Sequence, residues 1–130
     1  MEKELIIKKE RSVPFSIRAR LKSFRYAFEG VYAFFNTQHN AIIHFLMTMI
    51  AFIAAVFFNV NKTEAIAITL AAAFVWMAEL FNTAIEKLAD TVSKEFHPSI
   101  KFIKDVSAAA VLIAAAGAFV TGAIIFLPKI

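Results

Sequence analysis

The chain has 130 residues, of which 60% are hydrophobic, and it contains 15 Phe and no Cys. Soluble domains use about 45–50% apolar residues, so a chain of this length could not hide its apolar surface in a soluble core. The missing cysteines exclude disulfides and thiol chemistry. The net charge of +4 suits anionic lipid headgroups, and no nucleic acid partner is expected because the basic residues flank apolar segments rather than forming a groove.

Residues 1–13 are rich in charge and are predicted to be a flexible N-terminus. Ser12 followed by Pro14 is typical of a helix start, and an amphipathic helix is predicted over 14–36. Its apolar residues recur at alternating steps of four and three: Ile17, Leu21, Phe24, Phe28, Val31 and Phe35. Basic residues lie largely off this stripe, which favours a helix in the membrane interface. The alternative is a helix packed on a soluble core.

Three apolar segments follow the polar break at 36–40, and each is predicted to cross the membrane. The second is apolar only over 65–78, about 14 residues, but its helical period continues past Glu79. The spans are predicted over 41–59, over 63–95 with a cytoplasmic extension, and over 98–127. Asn61 and Glu64 form a predicted capping box at the start of the second span. The sequence Phe96-His97-Pro98 is expected to end that helix. The prediction is therefore one all-α integral membrane domain over 1–130.

The basic residues also predict an orientation. Of 14 Lys and Arg, eight precede residue 26 and four lie between Lys87 and Lys104. Cytoplasmic loops carry an excess of Lys and Arg, so the N-terminus and the connection between the second and third spans are predicted to be cytoplasmic. Lys62 and the C-terminus are then expected on the outer side, which requires an odd number of spans.

Polar side chains are concentrated in residues 79–105, where the second and third apolar segments meet water. Glu79, Asn82, Glu86 and Asp90 are spaced to share one face of a helix. Ionisable groups at membrane depth cost free energy, which favours a functional site. Glu79 and Glu86 are about 10 Å apart by helical rise. They are therefore predicted to act separately.

Each residue type in this stretch suits one task in phosphate chemistry. Glu79, at membrane depth, suits a general base, and Glu86, nearer water, suits a hard cation such as Mg²⁺. Lys104 suits phosphate oxygens and, with Asp105, is expected to meet the carboxylates across the connection. The alternative is that each of these side chains only forms an ion pair. The interpretation as a functional site would be wrong if Glu79 and Glu86 faced bulk solvent and lay far from Lys104.

The segment 78–115, AELFNTAIEKLADTVSKEFHPSIKFIKDVSAAAVLIAA, resembles the signature region of the prokaryotic diacylglycerol kinase family, whose members are small membrane lipid kinases. The segments SFRYAFEG at 23–30 and TQHN at 37–40 also resemble motifs of this family in order and spacing. The resemblance implies a homotrimer of three-span subunits in the bacterial inner membrane. It further implies transfer of the γ-phosphate of ATP, with Mg²⁺, to the hydroxyl of a lipid alcohol.

The same resemblance implies roles for individual residues. Glu79 matches the catalytic carboxylate, Asn82 a residue that orients the reacting groups, and Glu86 a metal-binding carboxylate. Gln38 stands where many members have a second metal-binding Glu, and its carbonyl could ligate Mg²⁺ without supplying charge. The implied nucleotide contacts are Tyr26, Glu86, Glu95, Phe96, His97, Lys104 and Asp105.

Three functions stay open at this point. A lipid kinase could act on diacylglycerol or on undecaprenol, and the motif before the first span leans towards undecaprenol by analogy only. The chain could instead be a non-catalytic trimeric membrane scaffold related to this family, which the substitution at Gln38 would favour. It could also be an ordinary small membrane protein whose polar face binds a partner helix.

Overall fold

The computed structural model describes residues 15–130, so the predicted flexible stretch 1–13 and the predicted helix start at Ser12 and Pro14 lie outside the described residues. The described chain forms four α-helices and a short 3-10 turn, and it contains no β-strand, which confirms the all-α prediction. The elements are α1 (Ile17–Thr37), α2 (His39–Phe57), α3 (Lys62–Val92), α4 (Pro98–Phe126) and the turn Leu127–Lys129.

The contacts divide the chain into two compact units, the first ending at Ala33 and the second comprising Phe34–Ile130. The single domain over 1–130 stays a prediction. In the first unit, α1 begins at Ile17, and the Ala19 N–H donates to the Ser16 hydroxyl at 3.3 Å. Serine is a preferred residue just before a helix because its side chain satisfies a free backbone N–H. The apolar stripe of α1 is exposed. Its placement in the membrane interface stays a prediction.

The second unit contains the remaining helices, and a single residue separates α1 from α2. That residue is Gln38, which has extended backbone angles (φ −115°, ψ 114°). Since the helices continue to Thr37 and resume at His39, the break is shorter than the predicted 36–40. The turn after α2 contains Asn59 at a φ of 48°, a left-handed conformation that Asn tolerates better than most residues. The Val60 N–H donates to the Ala55 carbonyl at 3.1 Å and closes this turn.

The predicted capping box at the start of α3 is confirmed. The Glu64 N–H donates to Asn61 Oδ1 at 3.0 Å, and the Asn61 N–H donates to Glu64 Oε2 at 2.8 Å. The helix ends at Val92 rather than at residue 95, since Ser93 is extended (φ −155°, ψ 137°). The predicted breaker Phe96-His97-Pro98 therefore lies beyond the end of α3. Its His97 precedes α4 and acts as the N-cap of that helix.

Three of the helices, α2, α3 and α4 with its terminal turn, are long and apolar enough to cross a membrane. Large apolar side chains along all three are exposed, for example Phe57, Phe74 and Phe119. Such apolar surfaces are stable in the hydrocarbon of a membrane. Within a helix the backbone N–H and C=O groups bond to one another and therefore need no water there. The chain is therefore a membrane protein.

The three membrane-spanning helices meet at a small buried cluster near the turn after α2. Ala55, Ile68 and Ile125, one from each helix, form this cluster. At the same end, Lys129 Nζ lies 3.2 Å from Glu64 Oε1. The C-terminus and the start of α3 are therefore together, as three crossings require. Which side of the membrane this end faces stays a prediction.

Candidate active site

The residues Glu79, Asn82, Glu86 and Asp90 form what we call the polar face of α3. Burial decreases along it: Glu79 is only 4% exposed, Asn82 and Glu86 are half-buried, and Asp90 is exposed. The face thus runs from a dry environment to an accessible one. Since a buried carboxylate is costly unless it is paired, the partner of Glu79 is the first feature to identify.

The partner of Glu79 is His44 on α2. His44 Nε2 lies 2.5 Å from Glu79 Oε1, and the two side chains are 20% and 5% exposed. If Glu79 is ionised, Nε2 must carry the proton, because a carboxylate can only accept hydrogen bonds. No role was predicted for His44 from the sequence. The sequence contained one indication of such a role: His44 and Thr48, one helical turn apart, are the polar residues in the apolar segment 42–58.

A second polar contact joins α2 to α3 one helical turn away. Trp76 Nε1 donates to Thr48 Oγ1 at 3.0 Å, and the Thr48 hydroxyl donates to the His44 backbone carbonyl at 2.7 Å. The Trp76 ring also packs against Phe34 and Phe35, with ring centroids 6.2 and 5.4 Å away. These contacts pack α2 against α3, one helical turn away from the contact between His44 and Glu79.

Asn82 faces α4 instead. The Ser107 hydroxyl, itself buried, lies 2.7 Å from Asn82 Oδ1 and 2.9 Å from the Lys104 carbonyl, so its single proton has two acceptors within reach. An open groove of about 440 Å³ lies beside this contact, with Asn82 and Ser107 in a wall otherwise made of apolar side chains such as Phe81. Ser107 was not predicted from the sequence as a site residue.

Lys104 reaches the polar face of α3 from α4. Its Nζ donates to Asp90 Oδ1 at 2.8 Å, and the two side chains are 36% and 59% exposed. Asp105 pairs with Lys101 on its own helix. Lys104 therefore lies near the polar face of α3, as the prediction of a functional site requires. Lys104 and Asp105 also each form an ion pair, as the alternative of a purely structural role expects. Exposed pairs of this kind contribute about 0–1 kcal/mol, so a phosphate could displace Asp90.

The connection between α3 and α4 carries three predicted nucleotide contacts, Glu95, Phe96 and His97, all of them exposed. The Ser99 N–H donates to His97 Nδ1 at 3.2 Å, which makes His97 the N-cap of α4. Neutral His97 therefore carries its proton on Nε2. The Glu95 N–H donates to the Ser93 hydroxyl at 3.2 Å, so this turn is locally ordered by its own hydrogen bonds.

The last predicted site residues are Tyr26 and Gln38. Tyr26 lies on α1 in the first unit and is exposed, whereas Gln38 lies in the second unit and is half-buried. Gln38 is the N-cap of α2, and its amide side chain makes no capping hydrogen bond. The amide is thus not committed to the helix end.

The fit of the site to Mg²⁺ depends on Glu86. Among residues 15–130, no group of three or more His, Asp or Glu side chains forms a metal cage. Mg²⁺ is usually held by one or two carboxylates together with substrate phosphates and water. The half-buried Glu86, between Asn82 and Asp90, fits a site of that kind, with Gln38 as a predicted further ligand.

Comparison with known proteins yields one family and two curated relatives. A family model described as prokaryotic diacylglycerol kinase matches residues 25–126. A protein named diacylglycerol kinase from Synechocystis sp. is 37% identical over 111 residues, which cover 85% of this chain and 63% of that protein. A protein named undecaprenol kinase from Bacillus subtilis is 32% identical over 109 residues, covering 84% of this chain and 89% of that protein. This chain thus spans less than two thirds of the Synechocystis protein.

Proposed function

Because this chain belongs to the prokaryotic diacylglycerol kinase family, we propose that it is a membrane lipid kinase. It transfers the γ-phosphate of ATP to the hydroxyl of a lipid alcohol, diacylglycerol or undecaprenol. The observation that carries this proposal is the polar face of α3, which runs from buried Glu79 to exposed Asp90 and contacts α2 and α4 on the way. One substrate is dissolved in lipid and the other in water, so the reaction needs a site of graded burial.

Glu79 is the proposed general base. The lipid hydroxyl oxygen attacks the γ-phosphorus and forms a new P–O bond, the bond from that phosphorus to the bridging oxygen breaks, and ADP leaves with the electron pair. The hydroxyl proton passes to the Glu79 carboxylate, whose Oε1 contacts His44 Nε2, and we assign Oε2 as the oxygen that takes the proton. A positioned base of this kind accelerates reactions about 10²- to 10⁴-fold. Asn82 orients the hydroxyl.

The groove beside Asn82 supports a lipid acceptor. Its wall is apolar apart from Asn82 and Ser107, so a hydrocarbon chain lying there would bring its hydroxyl end to the polar face of α3. Phosphoryl transfer depends mainly on positioning and charge stabilisation, and this arrangement supplies the positioning. Both acceptors carry one hydroxyl group at the polar end of a molecule that otherwise consists mostly of hydrocarbon chain.

The proposed nucleotide end of the site consists of Lys104 and its surroundings. Lys104 contacts the phosphates after leaving Asp90, while Asp105 and the turn 95–97 contact the nucleotide. The nucleotide contact of Tyr26, in the first unit, stays a prediction from the family resemblance. Glu86, with Gln38, would hold Mg²⁺, which when bound offsets the negative charge of the phosphates. The proposed assembly is a homotrimer in the bacterial inner membrane, with the N-terminus and the connection after α3 in the cytoplasm.

The test is an assay of the purified chain with MgATP and each lipid alcohol in separate vesicles. We expect a phosphorylated lipid, and Glu79→Gln should lower kcat by about 10²-fold or more because it removes the base. Glu86→Ala should lower activity at limiting Mg²⁺. Turnover of the two lipids side by side identifies the acceptor.

Two outcomes would contradict this assignment. No transfer to either lipid would argue for the non-catalytic scaffold. Full activity of both Glu79→Gln and Glu86→Ala, in variants with the helix content and assembly state of the parent protein, would show that the reaction occurs elsewhere.

A further inference from the structure

We propose that His44 is a positioning residue for the phosphoryl transfer, holding the Glu79 carboxylate in the orientation in which it takes the hydroxyl proton. This role rests on the proposed function of Glu79. The supporting observation is the contact of 2.5 Å between His44 Nε2 and Glu79 Oε1, made by two largely buried side chains on different helices.

The cost of an imidazole in this place argues against a purely structural role. Ionisable side chains within membrane-spanning helices are rare and mark functional sites. The neighbouring contact between Trp76 and Thr48 already joins α2 to α3 with uncharged groups. Holding the two helices together therefore does not require a histidine at position 44.

The geometry indicates what His44 does. The Nε2–H group donates to Oε1 of the ionised carboxylate. This hydrogen bond fixes the rotation of the carboxylate and leaves Oε2 as the oxygen that meets the lipid hydroxyl. When Oε2 has taken the proton, Oε1 becomes the carbonyl oxygen of the neutral acid and still accepts from Nε2. The contact therefore persists through the proton transfer, and its role is to orient the Glu79 carboxylate.

The experiment compares two substitutions of His44 that differ in one property. His44→Leu fills similar space without a hydrogen-bond donor, whereas His44→Gln places an amide N–H group near the position of Nε2. Thr48→Val is the matched control, because it removes the neighbouring polar contact between the same helices and leaves Glu79 paired. Wild type and Glu79→Gln are assayed in parallel, and the folded fraction of each variant is measured by thermal unfolding in detergent.

We expect His44→Leu to lower kcat by about 10- to 100-fold, with the KM for ATP changed less than about twofold, since misorientation of a base affects the chemical step. His44→Gln should stay within about fivefold of wild type. Thr48→Val should lower the unfolding temperature and leave kcat within about twofold.

Other outcomes would overturn the positioning role. They are a kcat of His44→Leu within about twofold of wild type, an equal loss in His44→Gln and His44→Leu, or a loss in His44→Leu no larger than its loss of folded protein. Failure of the proposed function is a separate result, because it would show as an inactive wild type or a fully active Glu79→Gln.

Discussion

Glu79 and Glu86 are chemically alike and lie on one face of the same helix, but their surroundings differ. Glu79 is buried and bonded to a histidine, whereas Glu86 is half-buried, one turn from the exposed Asp90. Environment assigns different tasks to carboxylates in one site. This difference supports separate roles for the two residues, one with the lipid hydroxyl and one with the metal.

Lys104 provides a test of the nucleotide end of the site. Lys104→Met should raise the KM for ATP about 10- to 150-fold, since a hydrogen bond to a charged group contributes about 1.5–3 kcal/mol. Asp90→Asn is the matched control, because it breaks the same ion pair but frees Lys104 for phosphate, so the KM should stay the same or fall. Equal increases in both variants would mean that Lys104 serves only the pair with Asp90.

Gln38 provides a test of the metal site. Gln38→Glu should lower the Mg²⁺ concentration that gives half-maximal activity, because a carboxylate binds this cation more strongly than a neutral amide does. Asn36→Asp, an exposed position near the same helix break, controls for the added charge. An unchanged or higher Mg²⁺ midpoint in Gln38→Glu would exclude position 38 from the metal shell.

At the scale of elements, the end of α3 remote from the polar face is stabilised by local hydrogen bonds. Asn61→Ala should lower the free energy of unfolding by about 0.5–2 kcal/mol through loss of the cap, whereas Asn61→Ser should retain most of it. Unfolding temperatures in detergent measure the difference. Activity should not change, because Asn61 and Glu79 are about 27 Å apart by helical rise.

Two results would contradict the prediction for the Asn61 variants. An unfolding temperature of Asn61→Ala equal to that of the parent protein would show that the capping box does not contribute to the stability of α3. A loss of activity in Asn61→Ala at a temperature where it is fully folded would show that the two ends of α3 are coupled.

At the scale of the whole molecule, the ion pair between Lys129 and Glu64 predicts a topology. The chain has no cysteine, so Lys62→Cys, Lys94→Cys and Lys129→Cys each create a single labelling site. With a membrane-impermeant maleimide on cells, Lys62→Cys and Lys129→Cys should react from outside, and Lys94→Cys only after the membrane is opened. Reaction of all three from one side would contradict a crossing by α3.

Local and periodic features were predictable from the sequence. The apolar segments, the capping box at Asn61, and the shared face of Glu79, Asn82, Glu86 and Asp90 all follow from spacings within one helix. Boundaries were less predictable, since α3 ends at Val92, where Ser93 turns extended well before the proline. The helix-breaking tendency of residues 96–98 does not determine which residue makes the last hydrogen bond of α3.

By itself, therefore, the sequence determined the class of the protein, its spans and the residues of its polar face. Only the tertiary structure decided the partners across helices: His44 for Glu79, Ser107 for Asn82 and Asp90 for Lys104. The physical reason is that periodicity defines the faces of each helix and not their rotation against a neighbour. Between apolar helices in lipid, that rotation depends on packing and on a few interhelical hydrogen bonds, which join residues far apart in the chain.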